Sequence, residues 1–212
     1  KDSIRALQRK KIDKEKLPKD TLGIYNLKDK SLVKMANVKS YKLPEKWEGY
    51  MAYLLDEIKV DKNNKTESKE GDSIKSKTTK KIKKVGKVTG YHLVLRNLHS
   101  GKQDTVKFVK DFIFAKEGKR LAYITSGVDS TSTEGVYVVD LENDRNIHIF
   151  KGDKAKYAQL SFSDSGKNLG FVVDTDTTKI QVRPHELYIW REGNKLAKKL
   201  VDNTSSPKNY LV

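Results

Sequence analysis

Phe112-Ile113-Phe114-Ala115-Lys116-Glu117-Gly118-Lys119-Arg120-Leu121-Ala122-Tyr123 aligns without gaps on Leu160-Ser161-Phe162-Ser163-Asp164-Ser165-Gly166-Lys167-Asn168-Leu169-Gly170-Phe171, a shift of 48 residues. An earlier copy, from Tyr41-Lys42-Leu43-Pro44 to Ala52-Tyr53-Leu54, follows the same plan with one extra residue. Each copy reads as strand, polar turn, strand. Asp164-Ser165-Gly166-Lys167 and Lys116-Glu117-Gly118-Lys119 place a glycine where a tight hairpin needs positive φ, between side chains that remain solvated. Leu121–Thr125 and Leu169–Val173 are apolar without strict alternation, the pattern of interior strands in a sheet covered on both faces.

A second motif recurs: Gly23-Ile24-Tyr25-Asn26-Leu27, then Leu93-Val94-Leu95-Arg96-Asn97-Leu98, then Val136-Tyr137-Val138-Val139-Asp140-Leu141, with Leu187-Tyr188-Ile189-Trp190 a looser fourth. A polar turn and another strand follow, as in Asn143-Asp144-Arg145 leading to Ile147–Phe150. This gives four strands per unit. Four-stranded units repeating every 40–50 residues or so are the signature of β-propeller blades, which pack face to face around a channel. The expected fold is therefore all-β, a partial β-propeller of about three and a half four-stranded blades, with units at about 22–36, 38–108, 111–150 and 158–201 inside a region spanning 21–212. Three and a half units do not close a ring of four to eight blades. The chain is then an arc of a larger propeller, unless the same strands form a sandwich. It begins with Lys1, and the expectation is a piece of something longer. An arc leaves the flanks of its terminal sheets open, which predicts self-association or dependence on a missing part.

The charge is unevenly placed. Lys and Arg number 44 against 28 Asp and Glu, a formal charge of +16. Residues 1–20 and the tract 56–89 together carry +9 of it. Residues 1–20 read as a basic connector, with Ile4, Leu7 and Ile12 at helical spacing behind a Ser3 N-cap and Pro18 ending the pattern. The tract 56–89 is lysine-rich and low in complexity, with too few apolar groups to offset the entropy of ordering it, and reads as an insertion between the second and third strands of its unit. A basic chain invites a nucleic-acid reading, but 37 of the 44 basic residues are Lys. Base readout and phosphate forks favour Arg, and no aromatic residues interleave with the lysines as a stacking platform. The composition thus points away from nucleic acid and towards a solvated surface.

The chemistry of enzymes is not visible in the residues. Zero cysteines exclude disulfides, thiolate metal sites and cysteine nucleophiles. No apolar run approaches a membrane helix, and Lys1–Arg5 lack the apolar stretch of a signal peptide. Gly71-Asp72-Ser73 fails the nucleophile-elbow pattern, because Ile74 and Lys75 follow it. Gly86-Lys87, Gly101-Lys102, Gly118-Lys119 and Gly166-Lys167 lack the earlier glycine and the following Ser or Thr of a phosphate loop. His92, His99, His148 and His185 have neither the helical i, i+4 zinc spacing nor companion cysteines, and read as strand or turn residues. Asp174 and Asp176 offer hard oxygen ligands, but without the glycine and terminal glutamate of a calcium loop, and read as part of a polar connection. No catalytic, cofactor-binding or metal-ligating residue is assigned, and no cofactor is expected.

Pro18-Lys19-Asp20-Thr21-Leu22-Gly23-Ile24, Val38-Lys39-Ser40-Tyr41-Lys42-Leu43-Pro44-Glu45-Lys46, Tyr91–Thr125 and Asp176–Trp190 resemble the propeller region of exported prolyl-oligopeptidase-family serine peptidases of Bacteroidetes. The resemblance covers most of the chain apart from the lysine-rich tract. In that family an N-terminal propeller precedes an α/β-hydrolase domain bearing a Ser-Asp-His triad and restricts which peptides reach it. No triad position has a counterpart here. The resemblance implies a chain inert by itself, a hydrolase domain of the same parent as its partner, peptide substrates, and a periplasmic or secreted location. The competing expectation is a stand-alone repeat scaffold that binds a protein or polyanion through its basic surface. A third keeps the ancestry and makes the parent hydrolase a dead one.

Overall fold

The structure is a computed structural model, and it describes residues 6, 9–10, 20–59, 88–127, 133–152, 155–175, 185–202 and 204–205. Among them lie thirteen strands: β1 (Thr21–Tyr25), β2 (Leu32–Ala36), β3 (Ser40–Lys42), β4 (Tyr50–Lys59), β5 (Val88–Asn97), β6 (Gln103–Phe114), β7 (Arg120–Thr125), β8 (Gly135–Asp140), β9 (Arg145–Phe150), β10 (Lys156–Phe162), β11 (Asn168–Asp174), β12 (Glu186–Arg191) and β13 (Lys198–Val201). Every pairing is antiparallel between sequence neighbours. Of the basic connector, only Ala6, Arg9 and Lys10 are described. Lys10 N–H donates to Ala6 O at 3.2 Å, a helical bond, and the remainder of the expected helix lies outside the described residues.

Hydrogen bonding groups the strands as β1–β2, then β3 through β9 in one ladder, then β10 through β13. The seven-stranded ladder is two four-stranded units joined by one strand. Gln103–Val109 of β6 pairs with β5, whereas Val109–Phe114 pairs with β7, and the register shifts at the junction. Phe108 turns the strand there with φ of 60° and is buried. Opposite the bend, a Cβ on Gly90 would lie 2.5 Å from the Phe108 carbonyl carbon, so the bend needs glycine across from it. β6 is thus the outer strand of one unit and the inner strand of the next. The units expected from the sequence break between 108 and 111, whereas β6 runs through that point, bent at Phe108 without turn residues. The lysine-rich tract also differs at its margins: 56–59 extend β4 and 88–89 extend β5, while 60–87 lie outside the described residues.

Three apolar clusters place the units in order. Leu22, Ile24 and Met35 of the first sheet pack against Met51, Tyr53 and Val94 of the second. Ala52, Leu54 and Leu93, on that sheet's other face, pack with Phe112, Leu121 and Tyr123 of the third. Ala122, Ile124, Val136 and Val138 then meet Leu169, Phe171, Val173 and Trp190 of the fourth. Odd and even residues of one strand therefore serve opposite interfaces, as the period of two demands. This succession of sheets stacked face to face is a partial β-propeller.

β7 is buried along its whole length, as its apolar sequence anticipates. β11 reads much like β7, but alternates. Leu169, Phe171 and Val173 are buried, while Gly170 and Val172 are half-exposed, because no further described sheet covers that side. Burying a Leu or Val side chain contributes roughly 1.5–3 kcal/mol, so the two faces of β11 differ sharply in energy. Leu169→Ala is expected to cost about 2–5 kcal/mol and Val172→Ala less than about 1 kcal/mol in urea unfolding. Equal losses would mean that both faces are covered.

Candidate functional site

The first strand of each later unit, namely β3, the second half of β6, and β10, borders a shared concavity of about 550 Å³. Its lining includes Lys42, Glu45, Ile113, Lys116, Leu160 and Asp164. Radially stacked sheets bring their first strands together on one side; those strands supply Lys42 and the apolar Ile113, Phe114, Leu160 and Phe162, and the turns after them supply Glu45, Lys116 and Asp164. Lys42 donates from Nζ to Phe112 O at 2.6 Å and stands 3.8 Å from Asp111, covering a main-chain acceptor on the open edge of β6. Lysines at sheet edges discourage unwanted strand pairing. Lys116 lies 3.6 Å from Asp164. The lining thus combines two cations and two carboxylates with an apolar floor. No histidine is among the described residues that line the concavity, and its one serine, Ser161, lies among lysines and carboxylates.

The hairpin turns below the concavity are tied from unit to unit. Lys46 Nζ donates to Glu117 at 2.8 Å, Trp47 Nε1 to Ala115 O at 3.0 Å, and Glu117 N–H to Asp164 O at 3.1 Å. The Trp47 ring also meets Phe114 edge-on at 5.4 Å. Arg120, buried at the start of β7, donates to Gly166 O at 3.2 Å, to Glu192, and lies 3.8 Å from the buried Asp140. One guanidinium thereby joins two sheets, and its fixed fork of donors makes that geometry available to Arg rather than Lys. Burial alone would raise the Asp140 carboxyl. The Asn143 side-chain and backbone donors, with Arg120 and the Glu142 N–H, more than offset it and hold the group below its ordinary 3.8.

The turn glycines anticipated from sequence have the expected backbone, with φ of 77° at Gly118 and 69° at Gly166. The structure adds a second reason for them. A Cβ on Gly118 would lie 2.7 Å from Ser165 O, and one on Gly166 would lie 2.4 Å from Glu117 O, because turns of adjacent units touch there. A second, outer concavity of about 410 Å³ opens between the second and third sheets, walled by Leu95, Val106, Leu121 and Val139 with Lys102 and Arg145 among its polar residues. Tyr123 borders it, donor to none of these charges but accepting from Asn146 Nδ2 at 2.7 Å, and burial pushes its phenol up to about 12.

Among the described residues, the histidines and Asp174 form no metal-ligating cluster. His92 lies on β5, His99 in the β5–β6 turn, His148 on β9 and His185 just before β12. Among the described residues no three metal-ligating side chains cluster. His148 stacks on Tyr137 at 4.2 Å, which stacks on Tyr123 at 5.0 Å, an aromatic ladder across three strands. Burial lowers the His148 pKa. Asp174 ends β11 and lies 3.4 Å from Lys156. Asp176, Gly71–Lys75 and Gly86–Lys87 lie outside the described residues.

No protein-family model and no curated protein matches the chain. Among solved structures, it is similar over 85% of its length to 27% of the acylaminoacyl peptidase of Pyrococcus horikoshii, with a TM-score of 0.43 and 14% identity. It is similar over 77% of its length to 57% of the chain solved for the β-propeller domain of the Trilobed protease from Pyrococcus furiosus, with a TM-score of 0.37 and 12% identity. The chain thus spans less than two thirds of each of these proteins.

Gly166→Ala is expected to destabilise the protein by at least about 1 kcal/mol more than Gly193→Ala, since both positions have positive φ but nothing lies within 4 Å of a Cβ at Gly193. Equal losses in thermal unfolding would remove the inter-turn contact as the cause. Asp140 has a lowered folded-state pKa, so its contribution is present above about pH 3.8 and is lost as pH falls through the lower folded value. Asp140→Asn is expected to cost roughly 1.5–3 kcal/mol at pH 7 and progressively less below pH 3.8. A penalty that stays constant down to pH 2 would contradict the charge-assisted network.

Proposed function

We propose that this chain is a non-catalytic propeller segment of a prolyl-oligopeptidase-like serine peptidase, restricting and docking peptide substrates for an α/β-hydrolase domain absent from this chain. The observation that carries the reading is the inner concavity, where three first strands and the turns that follow them place Lys42, Glu45, Lys116 and Asp164 around an apolar floor. Such a surface can select by size and charge, while bond cleavage requires groups supplied elsewhere. The ties among the hairpin turns keep that surface rigid, as a filter requires. The sequence resemblance supplies the peptidase context, and an exported parent, periplasmic or secreted, goes with it.

A second reading is favoured by the charge of +16. In it, the chain is a scaffold for a polyanion held by exposed lysines, with affinity driven by counterion release.

Under the peptidase reading, the purified chain is not labelled by a fluorophosphonate serine probe and does not cleave proline-containing peptides. The reading frame beyond Val212 encodes roughly 250 residues or more, including a Gly-x-Ser-x-Gly turn. Labelling of this chain, or a downstream frame without that turn, would overturn the assignment. Heparin affinity that falls steeply between 50 and 200 mM salt would favour the scaffold.

A further inference from the structure

The first sheet is incomplete in a particular way. β1 occupies the place in the repeat held by β5, β8 and β12, and β2 the place of the outer strand that follows each. The two inner strands are missing from that sheet among the described residues, and β1 pairs with β2 alone. Asn26 N–H donates to Ser31 O across the β1–β2 turn at 2.9 Å. The alternation along the strand then directs the N–H and C=O groups of Thr21, Gly23 and Tyr25 to the opposite, open edge.

The neighbouring sheet registers the same gap. Tyr41 pairs with Tyr53 as Phe112 pairs with Tyr123, so Tyr41, Phe112 and Leu160 hold one position in the repeat. Phe112 is 1% exposed and Leu160 9%, but Tyr41 is 54% exposed. Two residues on, Phe114 and Phe162 are half-buried, while Leu43 is 53% exposed. Tyr41 lies on the same face as Tyr53, which the first sheet covers through Leu22, Ile24 and Met35. Coverage stops where the inner strands are missing, so the exposed face continues an interface already formed. A cavity of about 300 Å³ lies in the gap, lined by Asp20, Thr21, Leu22, Val38, Ser40 and Tyr41.

We infer that the open edge of β1, with Tyr41 and Leu43 beside it, is an acceptor site for an extended polypeptide strand added antiparallel to β1. Main-chain groups along an open edge are satisfied by another strand, and side chains at alternate positions of that strand set specificity. The repeat specifies those side chains. The strand in the corresponding place presents Ala52 and Leu54 in the second sheet and Ala122 and Ile124 in the third to the sheet that follows. The occupant is therefore a strand of the pattern small–x–aliphatic, its small residue passing close to the neighbouring sheet and its aliphatic residue covering Tyr41 or Leu43. This inference is independent of the peptidase reading, because an inert scaffold would accept the same strand.

The test uses the whole chain and a fluorescein-labelled synthetic peptide with the sequence Lys119–Ser126, followed by fluorescence anisotropy. Saturable one-to-one binding is expected. Tyr41→Ser in the chain, Gly23→Pro in the chain, and the double change Ala122→Asp with Ile124→Asp in the peptide should each weaken it about tenfold or more. Leu196→Ser, at an exposed site in the fourth unit, should leave it unchanged. Gly23→Pro removes a donor from the open edge and none from the β1–β2 ladder. Should that variant fail to fold by circular dichroism, Tyr41→Ser and the altered peptide carry the test. Absent or non-saturable binding, equal binding by the Tyr41 variant, or sedimentation showing the edge filled by a second copy of the chain would overturn the inference.

Discussion

A sheet with apolar side chains on both faces is stable only between two neighbours, and this requirement organises the molecule. β7 sits in the middle of the arc and is buried at every residue. Its even residues, Ala122 and Ile124, belong to the interface with the fourth sheet, and its odd residues, Leu121 and Tyr123, to the interface with the second. Away from the centre the coverage fades. Among the described residues β11 is covered on one face only, and Tyr41 on β3 and Leu43 just after it are exposed. The open surfaces are therefore consequences of position in the stack rather than of local composition.

The apolar interfaces set the order of the sheets, and the polar contacts set their alignment at the turn end. Arg120 is buried with Asp140 and reaches the next sheet through Gly166 O and Glu192. A buried pair of this kind contributes little net stability compared with apolar packing, but removing one partner leaves an uncompensated charge, so it penalises misalignment. Trp47 and Lys46 play the corresponding part between the second and third sheets. The inner concavity inherits its shape from this alignment, which links turn chemistry to the proposed filtering of peptides.

Much of the fold was legible because it repeats. The 48-residue shift identified hairpins that the structure forms with equivalent closing bonds, Ala115 N–H to Arg120 O at 2.8 Å and Ser163 N–H to Asn168 O at 2.9 Å. Gly118 and Gly166 were recognisable as turn residues, yet their contact with the neighbouring turn was not, since a sequence reports φ preference and not what lies across an interface. The continuous β6 was hidden for a similar reason: Phe108 bends the strand without Gly or Pro. Arg120 aligns with Asn168 in the repeat, and that mismatch was the one available signal that its position does something the fourth unit does not need. The concavity itself was not readable, because its lining comes from three strands far apart in sequence.

The stacking order can be read directly from methyl-to-methyl and methyl-to-aromatic nuclear Overhauser contacts in the isotopically labelled chain. The account requires contacts from Leu22 and Ile24 to Tyr53 or Val94, from Leu54 to Leu121 or Tyr123, and from Ile124 to Leu169 or Val173, with none from the first sheet to the fourth. Contacts joining Leu22 or Ile24 to Val172 or Leu187 would show a closed sandwich or ring and would contradict it.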